Sequence, residues 1–184
     1  LALSNRHLKG GTGVFNSIAD PNEPGYVEFV SLTTAGPETY RGRLLSLQRA
    51  VSKSPEGRRR KALMDLARFY LAHQFAHEAL GLMELALEED PALAQESSFN
   101  LMMGAARAMA GHYEEAFTHL SRPDLKNSPD AAVWQTIVDV ALRDWTPARI
   151  AMPRGRAVVG NYPKTIQAEF NLAAAQAMVE ANDF

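Results

Sequence analysis

The chain has 184 residues, 46% of them hydrophobic and 22% charged, with a formal net charge of −2 and no cysteine. This composition is ordinary for a soluble globular protein, and the near-neutral charge argues against wholesale attraction to nucleic acid or lipid. Lack of cysteine excludes a disulfide framework, a thiolate nucleophile and a thiolate zinc site.

No apolar run approaches the roughly 18 residues that would span a bilayer, and no signal peptide pattern is visible. The chain opens with Leu1-Ala2-Leu3 and closes on Asn182-Asp183-Phe184, in what reads as the middle of a repeat. We therefore expect a piece of a longer protein, which leaves the compartment open between cytoplasm and periplasm. The alanine-rich, cysteine-free composition points to a bacterial source.

Residues 1–36 are rich in Gly, Pro, Asn, Ser and Thr and show no helical period. They read as an extended arm. Val14-Phe15 and the run Tyr26-Val27-Glu28-Phe29-Val30-Ser31-Leu32 have strand composition, with a turn-rich link over 20–25. A β-hairpin, or part of a missing upstream domain, would account for them. Lys9-Gly10-Gly11-Thr12-Gly13 has the glycines of a phosphate loop, but its lysine comes first and no helix pattern follows.

From residue 37 the apolar period becomes 3.6. Tyr40, Leu44, Leu45, Leu47, Ala50 and Val51 form one stripe, broken over Ser52 to Gly57. Helices are then expected through Leu63–Tyr70, Ala79–Leu87, Phe99–Ala110, Tyr113–Leu120, Val133–Leu142, from Pro147 onward, and Thr165–Val179. Pro153 and Gly155 fall inside the helix after Pro147, and a kink or break is expected near Met152.

Four prolines mark out this series. Pro55, Pro91, Pro129 and Pro163 follow one another at steps of 36, 38 and 34 residues, and Ser54, Asp90 and Ser128 precede the first three. A capping side chain followed by proline is a helix start. A helical unit that restarts at a fixed period of this size is the mark of a repeat array. Helical pairs are expected to break at these prolines.

The repeat resembles the tetratricopeptide repeat (TPR), whose pattern is W-x2-L-G-x2-Y, A-x3-F and P. In the best unit the matching residues are Leu63, Leu66-Ala67, Tyr70, Ala79, Met83 and Pro91. The next has Asn100, Met103-Gly104 and Arg107, then Gly111-His112-Tyr113-Glu114-Glu115-Ala116 and Leu120. The third is degenerate, with Trp134, Ile137, Asp144-Trp145 and Ala148, and Asn182-Asp183-Phe184 opens a further turn. The resemblance covers residues 40–184. It implies an all-α fold: a right-handed superhelix of antiparallel helix pairs, a TPR-like α-solenoid over residues 37–184, truncated at its C-terminal end. Ala79 and Gly104 would then sit where helices cross closely.

The resemblance further implies a scaffold or adaptor that binds a protein or peptide on its concave face. The first helix of each pair builds that face, so Met64, Arg68, Leu71, Leu101, Ala105, Ala108, Met109, Gln135 and Asp139 would line it. Such an apolar, methionine-rich lining suits a helix or extended peptide. It would be filled by a partner or by the 27–32 segment of the chain's own arm. Aspartate at Met64 and Leu101 is expected to spoil binding and spare folding. Ala173, Ala174, Ala177, Met178 and Val179 would be left bare at the C-terminal end and promote self-association.

Other readings are a regulatory or dimerisation arm of an enzyme whose catalytic domain lies elsewhere, and a helical-repeat RNA binder. Interleaved aromatics are few in the basic segment 41–61, which argues against nucleic acid. The acidic segment 78–96 offers it an electrostatic mate. No catalytic residue, metal site or cofactor is expected. His73 and His77 are four apart, but a turn between helices separates them, and the glutamate of a zinc-peptidase motif is absent.

Overall fold

The computed structural model describes residues 29–33 and 37–180, and every regular element among them is helical. In chain order these are α1 (Phe29–Thr33), α2 (Pro37–Lys53), α3 (Glu56–Ala72), α4 (Ala76–Glu89), α5 (Ser97–Met109), α6 (Tyr113–Leu120), α7 (Pro129–Ala141), α8 (Trp145–Arg156) and α9 (Lys164–Glu180). The expectations for Val14-Phe15, Lys9–Gly13 and Asn182–Phe184 fall outside the described residues. At Phe29–Leu32 the strand reading is corrected: Phe29–Thr33 is one turn of α-helix, with Thr33 Oγ1 donating to the Phe29 carbonyl at 2.7 Å.

The helices pair as neighbours, α3 with α4, α5 with α6 and α7 with α8, while α9 packs on α7 and α8. The same turn joins each pair. Gln74 (φ 64°), Gly111 (φ 79°) and Arg143 (φ 61°) all adopt the left-handed conformation. In each case the next N–H reaches back to close the helix: Phe75 to the Tyr70 carbonyl at 2.9 Å, His112 to Arg107 at 2.9 Å, Asp144 to Asp139 at 2.7 Å. This is the left-handed C-terminal cap, for which glycine is the natural residue. The chain then re-enters a helix, and Ala79, Ala116 and Ala148, all fully buried, lie at matching places in the second helices.

The cap-and-proline signal has three different outcomes. Ser128 behaves as expected: its Oγ accepts from the Ala131 N–H at 3.2 Å and Pro129 opens α7. Asp90 also caps, accepting from the Ala92 N–H at 3.1 Å, but it opens a short 3₁₀ helix, Pro91–Gln95, and α5 begins only at Ser97. Ser54 instead faces backwards and donates to the Ala50 carbonyl at 2.7 Å, closing α2, so Pro55 precedes α3 without a side-chain cap. Pro163 directly precedes α9.

Small residues set the helix crossings. A Cβ on Gly104 would meet Leu120 Cγ at 2.5 Å, which is how closely α6 approaches α5. A Cβ on Gly155 would meet Phe170 at 2.8 Å and the Val133 backbone nitrogen at 3.0 Å. The expected break near Met152 does not occur, and α8 runs unbroken through Pro153 to Arg156. Pro153 is exposed and forfeits one hydrogen bond in the last turn of α8, while Gly155 beyond it packs tightly. Helix continuity there wins over the local proline penalty.

Candidate partner-binding face

The apolar members of the expected inner face do come together. Met64 and Leu71 on α3 and Leu101, Ala105 and Ala108 on α5 belong to one buried cluster that also holds Phe29, Trp134 and Tyr162. Met109 is half-buried against the same cluster. They do not form an open lining: Met64 is 6% exposed, Leu101 7% and Leu71 0%. The expectation that aspartate at Met64 and Leu101 would spare folding is therefore corrected, because either carboxylate would be placed in apolar core.

The polar members are mostly engaged. Arg68 Nη1 donates to Asp65 Oδ1 at 2.8 Å, and Lys61 Nζ reaches the other oxygen of the same carboxylate at 3.0 Å. Gln135 Nε2 donates to the Leu120 carbonyl at 2.7 Å and so satisfies the C-terminal end of α6. Asp139 is different. It is 4% exposed, and burial, reinforced by the charge of Asp144, pushes its pKa to about 7.

What lies against this region is the chain's own α1, which packs on α3. The Phe29 ring is 5.0 Å from that of Tyr162, which in turn stands edge-on to Trp134 at 6.0 Å. Tyr162 is anchored by its hydroxyl, which donates to Asp130 Oδ1 at 2.9 Å in the first turn of α7. Leu32, on the same side of the turn as Phe29, is half-buried against the core. Beyond α1, His73 closes α3 and joins an aromatic cluster, edge-on to Tyr40 and tilted against Phe69, with ring centroids at 4.6 and 4.5 Å. Burial holds the His73 pKa below its ordinary value, while a hydrogen bond to the Leu32 backbone pulls the other way and the charge of Arg43 adds to the lowering. Gln74, at the turn after α3, meets Thr165 Oγ1 of α9 at 2.9 Å, so the first pair and the last helix touch. Sequence reasoning missed Tyr162 and His73 as parts of this seat. Their signal is tertiary, since one follows a 3₁₀ turn and the other sits in a linker.

The opposite charges of segments 41–61 and 78–96 meet in part. Arg59 Nε lies 3.3 Å from Glu89, and Arg60 reaches Asp90 at 2.6 Å and Glu96 at 3.4 Å. Arg107, where the repeat pattern has tyrosine, bridges Glu84 of α4 at 2.7 Å and Glu115 of α6 at 2.6 Å. His119 approaches Asn100 Oδ1 at 3.0 Å, and the Asn100 amide donates to the Ala94 and Glu96 carbonyls, tying α6 to the start of α5.

At the C-terminal end the expectation is corrected in part. Ala173, Ala174 and Ala177 are buried, because α9 turns them towards α7 and α8. The apolar side chains left bare are Leu172, Met178 and Val179, at 61%, 50% and 65% exposure.

Among the described residues no three His, Asp or Glu side chains are grouped as metal ligands, and no helix is long and apolar enough to cross a membrane. Compared with known proteins, the chain matches no family model, no curated protein and no solved structure.

Proposed function

We propose that the chain is a protein-interaction scaffold built on TPR-like helical repeats, wound as a right-handed superhelix, whose inner face takes a peptide or short helix. One observation carries this reading: a single turn of helix, α1, is held against α3 with Phe29 buried and Leu32 packed on the core. A five-residue helix has no stability of its own. The surface that receives it is thus shaped to order a short apolar segment, which is the task of a peptide-binding scaffold. The recurrent left-handed turns and matching alanines support the repeat assignment.

The test is site-specific photo-cross-linking. A photoactive residue in place of Arg68, Met109 or Gln135 should capture a partner in cells, and one in place of Glu84 or Phe117 should not. Equal capture from both sets, or capture from the second set alone, would overturn the inner-face assignment. The bare Leu172, Met178 and Val179 are the basis for proposing self-association through α9.

A further inference from the structure

His73 lies where three helices meet. Its ring is edge-on to Tyr40 of α2, tilted against Phe69 of α3 and hydrogen-bonded to the Leu32 backbone of α1. The ring nitrogen Nε2 takes no part in that bond: it is buried and has no hydrogen-bond partner. A bare nitrogen suits the neutral ring, which keeps a lone pair there. The charged ring would place an N–H at the same point with nothing to accept it. The surrounding charges do not help. Arg43 of α2 acts on the ring and opposes protonation. Tyr40 stays neutral, its ionisation disfavoured by burial, by Tyr70 of α3 and by Glu78 of α4. His77 of α4 and Lys164, which opens α9 beside the Thr165 that meets Gln74, bring no negative charge. Neither Glu78 nor any other carboxylate among the described residues balances a proton on His73. The element most loosely held at this junction is α2. None of its described side chains is fully buried, and Tyr40, Leu44, Leu47 and Val51 are only half-buried, whereas α1 is anchored by Phe29 in the core.

We propose that His73 is an acid-sensitive latch for α2: the neutral ring lets α2 pack on the end of α3, and protonation loosens α2 while α1 and the helix pairs stay in place. The device is independent of what the inner face binds. Its direction follows from the groups around the ring. Burial, the largest influence, lowers the pKa of His73, the Leu32 bond raises it and Arg43 lowers it again, with a net lowering while α2 is packed. Loosening α2 admits water to the ring and returns it towards the ~6.5 of an unfolded histidine. The latch is therefore fully closed above about pH 6.5, weakens as the pH falls from there to the lowered value, and changes no further below it. Inside that window the ratio of loosened to packed α2 rises about tenfold per pH unit.

The experiment uses the full chain, whose lack of cysteine allows two spin labels to be placed at will. One pair, Ser46→Cys/Thr118→Cys, reports α2 against α6, and a control pair, Thr118→Cys/Ala168→Cys, reports α6 against α9; all three positions are exposed. Pulsed electron–electron distances are measured at about pH 8 and about pH 5, either side of an unfolded histidine and above the range in which exposed carboxylates take up protons. The first pair should give one narrow distance at the higher pH and a second, broad population at the lower, while the control pair stays narrow at both. His73→Phe keeps an aromatic ring in the cluster without a titrating nitrogen, and it should hold the first pair narrow at both pH values. His73→Gln repeats the comparison should phenylalanine lower the helix content seen by circular dichroism. Arg43→Gln removes the charge that opposes protonation and should reduce the acid-loosened fraction. An unchanged distance in the unsubstituted chain, or the same acid broadening in the His73 variants, would overturn the proposal. Broadening of both pairs together would also overturn it, because the acid would then be unfolding the whole chain rather than releasing α2.

Discussion

At the scale of single residues, burial decides most of what can be changed. Gly104 has no room for a methyl group beneath Leu120, and Ala79 is fully buried in α4. Gly104→Ala and Ala79→Leu should each destabilise by about 1–3 kcal/mol through overpacking. Urea denaturation checks this, and an unchanged midpoint for Gly104→Ala would show that α5 and α6 can separate at no cost. Asp139 offers a test of a different kind. Its folded pKa of about 7 lies well above the ~3.9 of an unfolded aspartate. The folded state therefore holds the proton more tightly. Stability from this group is greatest below about pH 4, falls as the pH rises towards 7, and is flat beyond. Asp139→Asn should thus gain roughly 1–3 kcal/mol at pH 8 and nearly nothing at pH 4. The same gain at both pH values would show that the charge is not what is costly at this position.

At the scale of elements, the repeated turn is the informative unit. Three pairs use one left-handed residue to end the first helix, and only the middle pair supplies glycine, as Gly111. A side chain in that conformation costs about 1–2 kcal/mol, which Gln74 and Arg143 both bear. Gln74 has some compensation, since its side chain meets Thr165. Arg143→Gly should raise stability by about 0.5–1 kcal/mol, and Gly111→Ala should lower it by a similar amount. Thermal unfolding of the pair tests both signs; a loss on Arg143→Gly would mean that the arginine makes a contact worth more than its backbone strain. The caps teach a related lesson. Ser54, Asp90 and Ser128 look alike in sequence, yet one closes the preceding helix, one starts a 3₁₀ helix and one starts an α-helix. A hydroxyl between two helices can bond either way, and the spacing of the helices selects the direction.

At the scale of the whole molecule, packing converts a row of short helices into one body. Each pair leaves apolar surface that the next pair covers, and α9 is covered on one side only. Leu172, Met178 and Val179 remain in water. Sedimentation at raised protein concentration should show self-association that Leu172→Lys/Val179→Lys abolishes. A chain that stays monomeric before the substitution would remove α9 as an interface. Closure comes from the contact of Gln74 with Thr165 and from α1 lying between α3 and Tyr162.

Among the described residues, the helical class, the positions of eight of the nine helices, the pairing of neighbouring helices and the close crossing at Gly104 are local properties, and they were legible in the sequence. Apolar spacing, glycine and proline act through the nearest turn of backbone, so their meaning survives without knowledge of the rest of the chain. Three matters were decided only by tertiary structure. Phe29–Thr33 has strand composition, yet it folds as helix because the ring of Phe29 finds Tyr162, a partner more than a hundred residues away in sequence. Pro153 breaks nothing because Gly155 lets α8 pack closely on α7 and α9. Met64 and Leu101 resemble groove residues by spacing but are buried in the core. Whether an apolar face lines a groove or fills a core depends on what arrives to cover it, and that is set by where distant segments meet rather than by the residues of the face itself.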